Sequence, residues 1–265
     1  MPDSAEPNPI MANNAIPSLI VDLEHYVHLP AACTMCNNPR KWQCNTCHCS
    51  QYCSQQCQKD DWPVHKLLCK TFRDFNLSTR PSPNHIRALY LHPSAEYPTF
   101  VWLLEPGQDN GGNIVLEGGA LPGNNETLEP VEKIVASVLL RRMLQPTLLV
   151  AASINQPTSG NKSLERINLE LSRSFHGPIL VMGCMEVNAS CTAADLDMMD
   201  FRHLVDHMRV MDAFKKYRVE TIGTENASGV TAVRVNCHGD RFLHPHRRKE
   251  FEKTIMRAAH LESAS

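Results

Sequence analysis

No apolar run in this chain of 265 residues reaches the ~18 that a membrane-spanning helix needs. Charge of one sign is not in excess either: 26 Lys and Arg stand against 28 Asp and Glu, a net charge of −2. Without a positive field, the chain as a whole has no pull on nucleic acid or on an anionic membrane. The opening residues show no basic stretch followed by an apolar one, so no secretory signal is expected. The expected setting is intracellular, cytoplasmic or nuclear, and reducing. No phosphate-binding Walker loop, glycine-rich dinucleotide fingerprint or serine elbow is present, and no internal repeat is evident.

Cysteine, by contrast, is plentiful and unevenly spread. Eight of the 11 cysteines fall between positions 33 and 69, and the others are Cys184, Cys191 and Cys237. In a reducing compartment such clustering reads as metal ligation, and no disulfide framework is expected. The ligand candidates form four pairs: Cys33-x2-Cys36, Cys44-x2-Cys47, Cys53-x3-Cys57 and His65-x3-Cys69. Two intervening residues allow a tight turn that aims both sulfurs at one ion. Three intervening residues place two side chains on one face of a helix. Eight ligands complete two tetrahedral zinc ions with no open position, the structural rather than catalytic arrangement.

Ser54 is placed to cap a first helix carrying Cys57. Asp61 is placed to cap a second short helix, with Pro63 in its first turn and His65 and Cys69 on its face. So little apolar material cannot fold alone, and metal binding supplies about 10–16 kcal/mol per structural zinc. Cys44-Asn-Thr-Cys47-His48 is formally a haem attachment motif, but its cysteines complete the zinc set. Cys49 reads as a bystander, with exchange for Cys47 as the alternative, and His48 reads as a bystander too. Spacing leaves open whether the pairs combine sequentially or interleaved.

The run Cys33-x2-Cys36, Cys44-x2-Cys47, Tyr52-Cys53-Ser54-x2-Cys57-Gln58, Asp61-Trp62, His65-Lys66 and Cys69 closely resembles the MYND-type zinc finger. The resemblance implies an interleaved cross-brace. One zinc would take Cys33, Cys36, Cys53 and Cys57, and the other Cys44, Cys47, His65 and Cys69. It also implies docking of short proline-containing peptides through Gln58, Trp62 and the residue after the third ligand. That residue is Asn45 here, bulkier than the family's usual serine or glycine. Trp62 could equally pack the miniature core. Between Cys33 and Cys69, four Lys/Arg, two Asp, seven ligand thiolates and two Zn2+ leave a net charge of about −1. A loaded finger of that charge lacks the basic footprint that phosphate binding needs.

The rest of the chain reads as mixed α and β. Ile86–His92, Thr99–Leu104, Thr147–Ala152, Ile179–Gly183 and Val230–Val235 are expected strands. Helices are expected over Val131–Leu144, Asp200–Tyr217 and Arg247–His260, and turns over Asp109–Gly112 and Gly118–Asn125. Phe72-Arg-Asp-Phe75, Arg80-Pro-Ser-Pro83, Pro98–Trp102, Phe201–His207 and Val233–Asp240 resemble segments of fungal proteins that carry a MYND finger. That resemblance implies a shared domain and no activity.

MYND fingers also occur in SET-domain lysine methyltransferases, whose cofactor site needs an Asn-His-Ser-Cys type segment. Here Asn84-His85 is followed by Ile86. His203-x3-His207 lacks the glutamate of a metalloprotease helix, since Leu204 follows His203; a helix surface or structural hydrogen bonds are expected instead. Cys237-His238, with Asp240, is poorly placed for a nucleophile–base pair, because adjacent strand residues point to opposite faces. Arg247–Lys249 reads as a solvated basic face.

The expected organisation is α+β: a flexible leader over 1–30, a two-zinc finger over 31–70, and a mixed α/β domain over 71–265 that folds without the zinc. The expected function is a non-enzymatic, zinc-dependent adaptor for a protein partner, in a regulatory or transcription-related setting. The alternatives are a divergent methyltransferase-like enzyme in the second domain and a DNA-binding regulator.

Overall fold

The computed structural model describes residues 26–105, 107–108, 114–115, 128–153, 160–187, 190–221, 229–235 and 251–257. Most of the leader, the turns expected at Asp109–Gly112 and Gly118–Asn125, and Cys237, His238, Asp240 and Arg247–Lys249 lie outside these residues.

A short hairpin, β1 (Trp42–Gln43) and β2 (Gln51–Tyr52), precedes helices α1 (Gln55–His65) and α2 (Cys69–Asp74). An antiparallel sheet follows, built from β3 (His85–Leu91), β4 (Thr99–Leu104), β7 (Leu128–Ser137), β8 (Arg142–Ser153) and β9 (Ile179–Val187) in the order β4-β3-β9-β8-β7. Strand β10 (Ser190–Ala194) pairs with the far half of β9. Two hairpins stand apart from this sheet: β5 (Gly107–Gln108) with β6 (Ile114–Val115), and β11 (Gly229–Val235) with β12 (Phe251–Arg257). Helices α3 (Lys162–Ile167) and α4 (Leu169–Ser174) fill the β8–β9 connection. Helix α5 (Met198–Thr221) runs for 24 residues. Among the described residues no helix is long and apolar enough to cross a membrane.

Strand alternation divides the sheet into two apolar faces. Ile86, Ala88, Tyr90, Leu103, Leu149, Leu180 and Met182 form one core cluster. Leu89, Leu91, Phe100, Ile134, Leu148 and Val181 point the other way, into a larger cluster shared with Phe201, Leu204, Val205 and Met208 of α5. Tyr52, Leu68 and the finger cysteines belong to that same cluster, so the 70/71 boundary falls inside one core. Phe72 and Phe75 on α2 add to the joint. Phe72 packs edge-on to Phe100 at 5.3 Å, Phe75 lies 4.8 Å from Trp102, and the Arg87 guanidinium sits 4.5 Å over Phe72. A chain beginning at Arg80 would therefore expose Arg87 and Phe100, which bears directly on the expectation that the second part folds alone.

Two expected helices are strands. Val131–Leu144 is the end of β7, a turn and the start of β8. Its register shifts between Pro130 and Glu132 and again between Ile134 and Ala136. Each shift breaks the two-residue alternation, leaving apolar spacings of three and four that imitate a helix. Within Arg247–His260, Phe251–Arg257 is β12, paired residue for residue with β11, so long-range pairing overrides local propensity. The eight finger cysteines are free of disulfides, as expected, while outside the finger Cys184 and Cys191, on adjacent strands with Cα atoms 5.5 Å apart, are joined by one.

Gly183 sits where neighbouring backbone and side chains approach the sheet closely. A Cβ there would lie 2.7 Å from the Ala194 carbonyl oxygen, 3.0 Å from Pro146 and 3.1 Å from Leu196. The first of these is backbone of the paired strand, so β10 itself would have to move. Gly183→Ala should cost about 1–3 kcal/mol, seen as a lower urea midpoint; an unchanged midpoint would show that β10 yields freely.

Candidate metal centre

The finger is built on two knuckles and a capped helix. Met35 N–H faces the Cys33 sulfur at 3.4 Å, and the Cys33 amide donates to the Asn38 carbonyl across the turn. In the second knuckle His48 takes φ 52° and donates its amide to the Cys44 carbonyl. His48 thus turns the chain in the left-handed region and carries no ligand role in this geometry. Ser54 caps α1 as expected, its hydroxyl accepting from the Cys57 amide at 3.1 Å.

The expected second helix is different. α1 runs unbroken through Asp61 and Pro63 to His65, and Cys69 opens α2. Asp61 therefore caps nothing. It is 1% exposed, and its carboxylate accepts from the Tyr52 hydroxyl at 2.7 Å. A buried carboxylate needs such partners, and those partners come from the fold rather than from its own turn.

The structure gathers Cys33, Cys36, Cys53 and Cys57 in one group and Cys44, Cys47, His65 and Cys69 in another, with all ligand atoms of a group within 4.8 Å of one another. The pairs interleave along the chain. A tetrahedral Zn–S length of ~2.3 Å implies S···S edges of about 3.8 Å. The first group shows 3.4, 4.0 and 3.7 Å for Cys36–Cys53, Cys36–Cys57 and Cys53–Cys57. The second shows 3.7 Å for Cys44–Cys69 and 3.6 Å from the Cys47 sulfur to His65 Nε2. Both donor sets fit zinc, and the chain holds two Zn2+, one in an all-cysteine site and one in a mixed site of three cysteines and a histidine.

Burial, followed by neighbouring groups, pushes the Cys36 thiol up to about 11 and Cys69 up to about 12. Cys47 and Cys57 are also raised by burial. Cys44 and Cys53 are lowered against their burial, Cys44 by the amides of Cys47 and Thr46 and Cys53 by the neighbouring thiols. Four crowded sulfurs cannot all ionise without a cation, and a bound Zn2+ supplies it. Burial also holds His65 below its usual pKa, against the opposing pull of Asp61, which favours the neutral, ligating imidazole.

Of the residues expected to meet a peptide, Trp62 is 50% exposed, Gln58 half-buried one turn before it on the same face of α1, and Asn45 exposed in the second knuckle. Trp62 leans on the His65 ring at 6.0 Å between centroids yet is not a core residue. Trp42, 43% exposed on β1, lies outside the ligand spacing and has no motif to mark it.

Other residues acquire roles that spacing does not reveal. The Cys49 thiol lies against Asp197 and the Met198 amide at the start of α5, where burial and then the Asp197 charge push its pKa up. Arg142 donates to the Cys33 carbonyl at 3.1 Å and faces His203 Nε2 at 3.2 Å. Burial and the Arg142 charge depress His203 to about 3, so the ring is neutral. His207 Nε2 bonds Glu132 at 2.8 Å. The two histidines thus make separate structural contacts to β8 and β7.

A family model of the MYND finger matches residues 33–69. Over 38 residues the chain is 50% identical to the dauer abnormal formation protein 25 of Caenorhabditis elegans, covering 14% of this chain and 10% of that protein. Over 40 residues it is 42% identical to the human N-lysine methyltransferase SMYD2, covering 15% and 9%. Over 37 residues it is 46% identical to the zinc finger MYND domain-containing protein 10 homolog of Drosophila melanogaster, covering 14% and 8%. The matched segment is thus about a tenth or less of each relative's length. No solved structure matches the chain.

The purified chain should carry two zinc equivalents by elemental analysis. Because protons compete with zinc for the thiolates, affinity should fall as pH is lowered. A single equivalent, or retention of both under acid, would contradict the two closed sites.

Proposed function

Since residues 33–69 are a MYND finger with two closed zinc sites, we propose that the chain is a non-enzymatic adaptor whose finger docks a proline-containing peptide of a protein partner. MYND fingers are protein–protein interaction modules, and this one has the means to act as such. Its ligand sets are complete, which leaves the metals to stabilise the surface rather than to bind substrate. Its loaded charge of about −1 is unsuited to phosphate.

The observation that carries the reading is Trp62, half-exposed on a rigid, zinc-anchored helix with Gln58 on the same face. An aromatic face and an amide suit an extended proline-containing segment. Proline's backbone is already restricted, so less entropy is lost on docking. Asn45 in the second knuckle is placed in the reading as a further polar contact. The methyltransferase named among the relatives matches only over the finger, so that likeness supports interaction rather than catalysis.

Binding of the zinc-loaded chain to an array of proline-containing peptides tests this. Trp62→Ala should weaken the bound peptides on the order of 10- to 100-fold, the effect of losing a central aromatic anchor, while zinc stays at two equivalents. Unchanged binding with only a lower melting temperature would make Trp62 a structural residue and remove the peptide-docking reading.

A further inference from the structure

His65 presents Nε2 to the metal side, 3.6 Å from the Cys47 sulfur. With Nε2 engaged by zinc, Nδ1 must carry the proton, and its surroundings set the angle of the ring. Nδ1 lies 3.1 Å from the Ser50 hydroxyl, 3.4 Å from the Tyr52 hydroxyl and 3.6 Å from Asp61 Oδ2. The Tyr52 hydroxyl donates to that same Oδ2, so Asp61 closes the acceptor chain behind the ligand.

The other Asp61 oxygen faces Arg202 Nη1 at 3.3 Å, although the two residues are 141 positions apart. Arg202 is locked from the opposite side by Asp206, through Nε at 3.0 Å and Nη2 at 2.7 Å. The three side chains are 2–7% exposed, so the contact is dry and the guanidinium is the counter-charge that Asp61 meets from the body. Its charge is strongly held, the two carboxylates outweighing the burial that opposes it.

We propose that Arg202 is a positioning residue for the mixed zinc site of Cys44, Cys47, His65 and Cys69: by fixing Asp61 it fixes the His65 ring, and it thereby ties metal retention in the finger to the seating of α5. Loss of Arg202 would not fall evenly on its two partners. Asp206 keeps Arg209 within 3.8 Å, whereas Asp61 would be left as a buried carboxylate without that counter-charge. Uncompensated, Asp61 must turn toward water or take up a proton, and either weakens its hold on Tyr52 and on the Nδ1 side of His65. The all-cysteine site does not run through Asp61 or Arg202: its ties to the body are Arg142, which donates to the Cys33 carbonyl, and the Asn37 side-chain amide, which donates to the Leu140 carbonyl.

Zinc occupancy of both sites, on which this role depends, is checked separately by elemental analysis of the wild-type chain. The role itself is tested by a Co2+ titration of the full chain. Centres of four thiolates and of three thiolates with an imidazole differ in their visible absorption, so each site is followed individually. Arg202→Met should weaken metal binding at the mixed site by about 10- to 100-fold, the usual effect of losing an outer partner of a ligand, and leave the all-cysteine site unchanged. Asp61→Asn should do the same, and the double variant should be no worse than either alone. Arg202→Lys keeps the charge without the two-pronged grip on Asp206, and should lose affinity at the mixed site by less. If Arg202→Met does not fold, the Lys variant carries the test through the same site-by-site comparison. Equal weakening of both sites, or a lower melting temperature with both affinities intact, would make Arg202 a merely structural residue and overturn the proposal.

Discussion

The fold depends on burying a helix that is not apolar. From Met198 to Ala213, α5 buries Phe201, Leu204, Val205 and Met208, but also Asp200, Arg202, His203, Asp206, His207 and Asp212. A polar group taken out of water must find a partner or cost several kcal/mol. Each of these side chains finds at least one, although His203 Nδ1 is left without a hydrogen bond among the described residues, and several of the partners belong to different elements. Arg202 meets Asp61 in the finger, His203 meets Arg142 on β8, His207 meets Glu132 on β7, and Asp212 accepts from Ser174 at the end of α4. At the start of the helix, Asp197 accepts from the amides of Met199 and Asp200 while Asp200 accepts from the Asp197 amide. Burial, with the adjacent Asp197 charge, pushes Asp200 well above the carboxylate range. The helix therefore has few alternative seats, because moving it breaks contacts to several elements at once.

The finger enters this arrangement as a participant. Its interior is mostly sulfur and imidazole, with Tyr52 and Leu68 as its large, fully buried side chains. Zinc supplies the cross-links that an apolar core would otherwise provide. Once cross-linked, the finger offers α5 a preformed carboxylate at Asp61 and a thiol at Cys49, and it offers Arg142 the Cys33 carbonyl. The face bearing Trp62 remains outside these contacts and free to meet solvent.

The ligands of the finger were legible because local spacing and metal geometry express the same constraint within a few residues. Strands β3, β4 and β9 were legible because their apolar runs are short and bounded by proline or glycine. Helix α5 was legible from its length, although its polar residues look like a solvated face until their partners are known. Three features were hidden for physical reasons. The bulges in β7 erase its alternation. The pairing that makes Phe251–Arg257 a strand is with β11, not with neighbours in the chain. Asp61 reads locally as a helix cap, and only Tyr52 and Arg202, brought in by tertiary structure, make it a buried junction.

Hydrogen exchange of the full chain, compared with and without chelation of zinc, tests the joint most directly. On this account, stripping the metal lowers protection in residues 33–69 and also in α5 from Phe201 to Met208, because the finger supplies part of the seat of that helix. Loss of protection confined to residues 33–69, with α5 as protected as before, would contradict it and leave the finger and the body as independent units.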